Sequence, residues 1–301
     1  MEIRQLQTFI AIVELGGFTK AAEQLGYAQS TITSHIQMLE DELGDSLFDR
    51  LGKKVVLTNK GEMLVTYARK ILALKEEIEQ MASDENEITG NLRIGVSESL
   101  TIYRLGKILT TYKTDYPKVN LILESAKCSE LRSRLCAGRL DMVLTVEPEI
   151  KSTELSVKKL RDEQMVMIMA PEISFIEDNN TILEDSIKRM NEVQSIILSE
   201  EGCMARVAFE NYLKKKGIKY SNQLEVASVE AIKSCAVNGL GIAVLPYYVV
   251  EKEIRDEKLK MVELDDSFPT FKTQLMYHKN KSISLAMEKL MEIIQEQISD
   301  W

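Results

Sequence analysis

The stretch Gly17-Phe18-Thr19-Lys20-Ala21-Ala22-Glu23-Gln24-Leu25-Gly26-Tyr27-Ala28-Gln29-Ser30-Thr31-Ile32-Thr33-Ser34-His35-Ile36-Gln37 decides how the N-terminal part of this chain folds. Thr19 is an N-cap residue type, and Ala21, Ala22 and Leu25 fall on one face of a short helix behind it. Gly26-Tyr27 supplies a tight turn. A longer helix follows, with Ile32, Ile36, Leu39 and Leu43 on its inner face. Ser30, Thr33, Ser34 and Gln37 lie on the opposite face, with Gln29 and Thr31 near its start. Two helices joined by a glycine turn, the second showing small polar groups outward, form a helix-turn-helix. Such a helix enters a DNA major groove with amide and hydroxyl groups at base edges, where short side chains avoid clashing with the phosphates.

Outward from that stretch, Leu6, Phe9, Ile10 and Val13 describe a preceding helix that ends at Gly16-Gly17. On the other side, Leu51-Gly52-Lys53-Lys54-Val55-Val56-Leu57-Thr58 reads as a β-hairpin wing. Arg50, Lys53 and Lys54 would lie on DNA phosphates and fix register without reading sequence. The residues Leu6-x-x-Phe9, Gly17-Phe18-Thr19-x-Ala21-Ala22-x-x-Leu25, Gln29-Ser30-x-Ile32-Thr33, Leu39-Glu40-x-Glu42-Leu43-Gly44, Leu47-Phe48-x-Arg50 and Leu57-Thr58-x-x-Gly61 closely resemble the LysR-type transcriptional regulator family. That resemblance implies a winged helix-turn-helix over residues 1–58 that binds double-stranded promoter DNA. The family usually places Ser where Thr33 stands and often has basic residues near Ser34 and Gln37. Here the recognition helix carries no Lys or Arg. Base readout is expected from Gln29, Ser30, Thr31, Thr33, Ser34 and Gln37, and affinity leans on the wing. His35 has two readings, a phosphate contact or packing on the helix flank.

The net charge of −9, from 38 Lys and Arg against 47 Asp and Glu, does not exclude DNA binding. Affinity for phosphates rests on local cation contacts, and an acidic remainder keeps the other faces off DNA. The start Met1-Glu2-Ile3-Arg4-Gln5 lacks the basic and apolar regions of a secretory signal. No apolar run reaches the roughly 18 residues of a membrane span. Four cysteines without a C-x-x-C pair suit reduced thiols in a cytoplasm, and no membrane partner is expected.

Residues 59–88 read as a long connecting helix. Leu64, Tyr67, Ile71, Leu74, Ile78 and Met81 alternate by three and four, an a/d seam that wants a partner helix. A second copy is the expected partner, giving a homodimer that sets two recognition helices on two half-sites, with packing on the same chain as the bland alternative. The resemblance implies that such dimers assemble further into a homotetramer and that RNA polymerase is a partner.

From residue 91 onward, strands and helices alternate, which predicts parallel sheets flanked by helices. One unit runs over 91–161 and 268–301, a second over 162–267, with strands at Leu92–Val96, Val119–Glu124, Met142–Thr145, Met165–Met169 and Ser195–Leu198. A helix is expected over Thr101–Thr114. Val226-x-Ser228 followed by Gly239-Leu240-Gly241-Ile242-Ala243-x-Leu245-Pro246 extends the resemblance to the LysR-type effector domain, a two-subdomain α/β fold of the type 2 periplasmic-binding-protein kind. The fold class expected for the whole chain is therefore mixed: an α-rich winged domain, a linker helix and this α/β domain.

Ligands in such folds sit beyond the carboxyl ends of strands, against helix N-termini. Ser97, Ser99, Lys127, Cys128, Ser129, Thr145, Gly202, Cys203 and Arg206 are the candidate effector contacts. Free N–H groups, Lys127 and Arg206 favour a small anionic metabolite. The serines are equally accounted for as helix caps. Cys128 and Cys203 raise the alternative of a thiol-based redox regulator, because a thiol at a helix N-terminus has a lowered pKa. An enzyme is not expected. His35 and His278 fall outside the cleft loops, no G-x-S-x-G or phosphate loop is present, and Glu147-Pro148-Glu149 reads as a hinge-side turn rather than an acid/base pair. No catalytic residue, metal or cofactor is assigned.

Overall fold

The structure is a computed structural model that describes residues 1–51, 54–81, 88–173, 195–217, 220 and 222–301. Lys53, and the side chains of Arg50, Lys54 and Met81, lie outside the described residues. The chain divides into two compact units, Met1–Gly90 and Asn91–Cys136 with Leu140–Trp301.

In the first unit, helices α1 (Ile3–Leu15), α2 (Phe18–Leu25) and α3 (Gln29–Leu43) enclose a core of Leu6, Phe9, Ala21, Ile32, Ile36, Leu39 and Leu47. Thr19 is not the cap expected for α2. The helix begins two residues earlier, with Gly17 at the N-cap and Thr19 in its first turn. Gly17 is in extended backbone (φ 175°, ψ 154°), and the helix starts there without a side-chain cap. The turn between α2 and α3 does depend on glycine. Gly26 sits at φ 68°, where its N–H reaches back to Ala22 O, and a side chain would be strained at that angle.

The wing is a hairpin of β1 (Phe48–Leu51) and β2 (Lys54–Leu57), pairing Phe48 with Leu57 and Leu51 with Lys54. Phe48 packs its ring against Phe9 at 5.3 Å, which pins the wing to α1. The linker helix α4 runs over Asn59–Met81. Its Leu64 is buried with Val65 and Ala68 in the core of this same unit, and Ile71 packs half-buried against it. Only part of the expected seam is therefore free. Tyr67, Leu74 and Ile78 are exposed, together with Met63.

The second unit holds two five-stranded sheets. One is ordered β4 (Val119–Glu124), β3 (Gly90–Val96), β5 (Met142–Pro148), β12 (Phe271–His278), β6 (Leu155–Glu163). The other is ordered β11 (Lys260–Glu263), β7 (Met165–Met169), β10 (Gly241–Pro246), β8 (Ser195–Leu198), β9 (Gln223–Glu225). The sheets are mixed rather than parallel. Helical crossovers make β3–β5, β8–β10 and β8–β9 parallel. The strand β12 returns from the other sheet and enters between β5 and β6 antiparallel to both, while β7 pairs antiparallel with β10 and β11. The chain passes between the sheets at Gln164 and again across 264–270. In the sequence β6 has too little apolar alternation to be legible, because it is an edge strand with both faces partly exposed.

Helices α5 (Glu98–Tyr103), α6 (Leu105–Asp115), α7 (Cys128–Cys136), α8 (Met204–Lys215), α9 (Val229–Val237), α10 (Tyr247–Arg255) and α11 (Leu285–Gln297) flank the sheets. The single helix expected over Thr101–Thr114 is two helices, broken at Arg104 with φ −122° and ψ −41°. Glu147 and Pro148 correct a second expectation. They are no turn but the end of β5, with Glu147 wholly buried.

Candidate functional site

The parallel strands of both sheets bring their carboxyl ends, and the antiparallel β7 and β12 their amino ends, to one cavity of about 470 Å³ between the sheets. Five of the described helices begin at its wall: α5 at Ser97-Glu98, α7 at Cys128, α8 at Cys203-Met204, α9 near Val229 and α10 behind Pro246. Each start presents N–H groups that the helix itself cannot pair, which places partial positive charge around the cavity beside the carboxylates of Glu98 and Glu200. The lining also includes the apolar side chains of Met165, Ile197, Phe209, Val244 and Phe271. A molecule held here needs a polar or anionic end and an apolar body.

Of the expected contacts, Ser97, Ser99, Lys127, Cys128, Cys203 and Arg206 line the cavity, and Ser129, Thr145 and Gly202 do not. Thr145 is buried and donates to Glu147 Oε1 at 2.8 Å. Ser99 is also buried, and its hydroxyl accepts from Tyr248 at 2.8 Å. Neither cation presents a free charge. Lys127 Nζ lies 3.0 Å from Glu200 and 2.9 Å from Glu201 O, while Arg206 is held by Glu210 at 2.9 Å and Glu225 at 2.7 Å. Both side chains that were expected to attract an anion are thus already ion-paired. Sequence reasoning did not single out Glu98, Ser125, Ser199 or the apolar lining. The lining residues sit at strand ends already legible as strands, but which side chains turn toward the other sheet is set by how the sheets face each other.

The expected low pKa at Cys128 is also corrected. Burial pushes its thiol well up, with Glu147 and Cys203 adding to the shift. Loss of hydration outweighs the favourable end of α7. At pH 8 Cys128 should react with iodoacetamide at a small fraction of its rate in urea-unfolded chain. Mass spectrometry of tryptic peptides reads this directly, and equal rates in the two states would contradict the buried, protonated thiol.

On the first unit, Gln29, Ser30, Thr33, Ser34 and Gln37 form an exposed face of α3, and Thr31 is half-buried. Two of these side chains have intrahelical partners: Thr33 Oγ1 donates to Gln29 O at 3.0 Å, and Gln37 Nε2 donates to Asp41 at 2.9 Å. His35 turns inward. Its Nδ1 lies 2.8 Å from Thr8 Oγ1, and its ring meets Tyr27 edge-on at 5.7 Å. Thr8 already donates its one proton to Arg4 O, so His35 Nδ1 is the donor and the ring serves packing.

The family model for the bacterial regulatory helix-turn-helix protein, lysR family, matches residues 3–62, and that for the LysR substrate binding domain matches 85–299. The chain belongs to the LysR family. It is a LysR-type transcriptional regulator, with a DNA-binding domain and an effector-binding domain, in a family of regulators rather than enzymes. The LysR relative "Uncharacterized HTH-type transcriptional regulator YwqM" of Bacillus subtilis (strain 168) is 37% identical over 297 residues, 98% of this chain and 99% of its own. Among solved structures, a full-length OxyR variant of Pseudomonas aeruginosa superimposes with a TM-score of 0.74 at 23% identity, covering 99% of this chain and 94% of OxyR. Full-length CbnR complexed with target DNA gives 0.62 at 20% identity over 98% and 99% of the two chains. At those identities both show the LysR fold alone. No described helix of this LysR-family protein is long and apolar enough to cross a membrane, and no described group of three or more His, Cys, Asp or Glu is placed to hold a metal.

Proposed function

We propose that the protein binds promoter DNA in the cytoplasm as a homodimer, or as a pair of dimers, and changes RNA polymerase output when a small carboxylate enters the cavity. The observation that carries the effector part is the convergence of five helix starts on one cavity that is also lined by apolar side chains. Ser97, Ser99 and the N–H groups at Cys128 and Cys203 would receive the carboxylate, and the apolar lining would receive the body of the ligand. The exposed face of α3 supports base reading by Gln29, Ser30, Thr33, Ser34 and Gln37, with Arg50, Lys53 and Lys54 as phosphate anchors. The exposed Tyr67, Leu74 and Ile78 of α4 support pairing with a second copy.

Because the described chain of the effector domain passes between its two sheets at two places, a ligand can change their relative pose. That change would reach the DNA-binding pairs through α4. Oxidation at Cys203 or Cys128 is the second reading. Both thiols line the cavity, but the upward shift at Cys128 opposes it.

A thermal-shift screen of the full chain with carboxylate metabolites and their amide analogues tests the first reading. A ligand that binds only the folded state raises the melting temperature by mass action. The expected result is a carboxylate that does so, also alters the promoter footprint, and still acts on Cys203→Ser. A footprint that changes only with peroxide, and is lost in Cys203→Ser, would overturn it.

A further inference from the structure

The N-terminus of α9 is capped from the other side of the cavity. Ser228 stands at the N-cap in an extended conformation (φ −96°, ψ 135°), yet its side chain makes no capping bond to its own helix. Its hydroxyl instead donates to Glu98 Oε1 at 2.8 Å, and Val229 N donates to Glu98 Oε2 at 3.0 Å. Both oxygens of one carboxylate are thus held by a hydroxyl and a backbone N–H at the positive end of a nine-residue helix. A free carboxylate would be held there in the same way.

Glu98 is the first residue of α5, which follows a strand of one sheet, whereas α9 belongs to the other. Three further contacts join the same walls, one of them the Tyr103 hydroxyl donating to Glu230 of α9. Tyr248 of α10 donates to Ser99 at 2.8 Å, and Lys233 of α9 donates to the hydroxyl of Tyr103 at 2.5 Å. Burial first, and Glu230 next, push that phenol up to about 12, so it stays protonated across the physiological range. Glu98 differs from these in being a charged group that also lines the cavity. Beside it, Ser97 Oγ is buried without a hydrogen-bond partner, so its donor is available to an incoming group.

We propose that Glu98 is the cavity's own anion: it occupies the N-terminus of α9, ties the two walls together, and is displaced by the carboxylate of the effector. The displacement rests on reading the cavity as the effector site; the tie itself does not. A ligand that takes over Ser228 Oγ and Val229 N frees α5 from α9, and the two sheets are then held by fewer cross-links. The effector's charge thereby does mechanical work that a neutral ligand of the same shape cannot.

Acetate is the probe, used on the full chain against chloride at equal ionic strength. Glu98→Ala should melt lower than the parent, by about 3–5 °C for a lost charge-assisted contact in a domain of this size. Tens of millimolar acetate should restore most of that loss, with chloride giving none. The parent should show no acetate-specific shift, because its own carboxylate holds the site. Adding Ser228→Ala to Glu98→Ala should weaken the rescue.

If Glu98→Ala does not fold, Glu98→Gln keeps the shape, and it too should gain stability from acetate over chloride, though less. Equal acetate shifts in parent and variant, or a Glu98→Ala chain that melts with the parent, would overturn the proposal. Should the carboxylate screen find no ligand while acetate still rescues Glu98→Ala, the effector reading fails and the tie stands. A carboxylate effector found without any rescue would leave the effector reading intact and remove Glu98 from it.

Discussion

A chain carrying Gln29→Ala and Ser34→Ala is expected to bind its promoter about 1,000-fold more weakly or worse, since each lost base contact removes about 1–2 kcal/mol and the proposed dimer loses every contact twice. Both side chains lie on the exposed face of α3, away from the core formed by Ile32, Ile36 and Leu39. The fold should therefore survive, and the melting temperature should stay within a degree or so of the parent. Gel-shift titration on promoter and on scrambled DNA reads the effect. Promoter affinity should fall toward the non-specific value while the salt dependence stays the same, because no phosphate contact has been removed. Retained promoter affinity would show that another face reads the bases. Tyr67→Glu with Ile78→Glu should lower promoter affinity by a different route. It leaves each recognition helix intact but unlinks the two copies, so sedimentation reports monomers and the gain from simultaneous binding is lost.

Glu147→Ala should strongly destabilise the effector domain, costing about 2–4 kcal/mol and lowering the melting temperature by about 5–10 °C. Glu147 is wholly buried at the end of β5, ion-paired with Arg132 of α7 and accepting from Thr145. Removing the carboxylate leaves the buried Thr145 hydroxyl without its acceptor and the half-buried Arg132 without its counter-ion, and those losses set the size of the effect. Glu147→Gln keeps an acceptor for Thr145 and should lose less. Calorimetry of the three chains checks the order. A Glu147→Ala chain that melts with the parent would mean that Arg132 swings out to solvent.

Much of the first unit could be read without coordinates because its information is local. Helix periodicity, a glycine turn and a polar outer face all lie within a few residues of one another, and the wing is a short hairpin. The recognition face of α3 followed from the same spacing. The effector domain was legible where buried strands are continuous apolar runs, as in Met165–Met169 and Gly241–Pro246. It was illegible where an element is exposed on both faces or broken by its neighbours, as at β6 and at Arg104.

The winged helix-turn-helix, the alternation of strands and helices beyond it and the location of the cavity loops were therefore settled by the sequence itself, since each depends on contacts a few residues apart. Only the tertiary structure decided that Leu64 faces its own core, that Lys127 and Arg206 already have acidic partners, and that Cys128 is pushed up rather than down. It alone placed Glu98 on the start of α9. The physical reason is common to all four: desolvation and ion pairing are set by groups brought together from distant parts of the chain, and Glu98 and Val229 lie 131 residues apart.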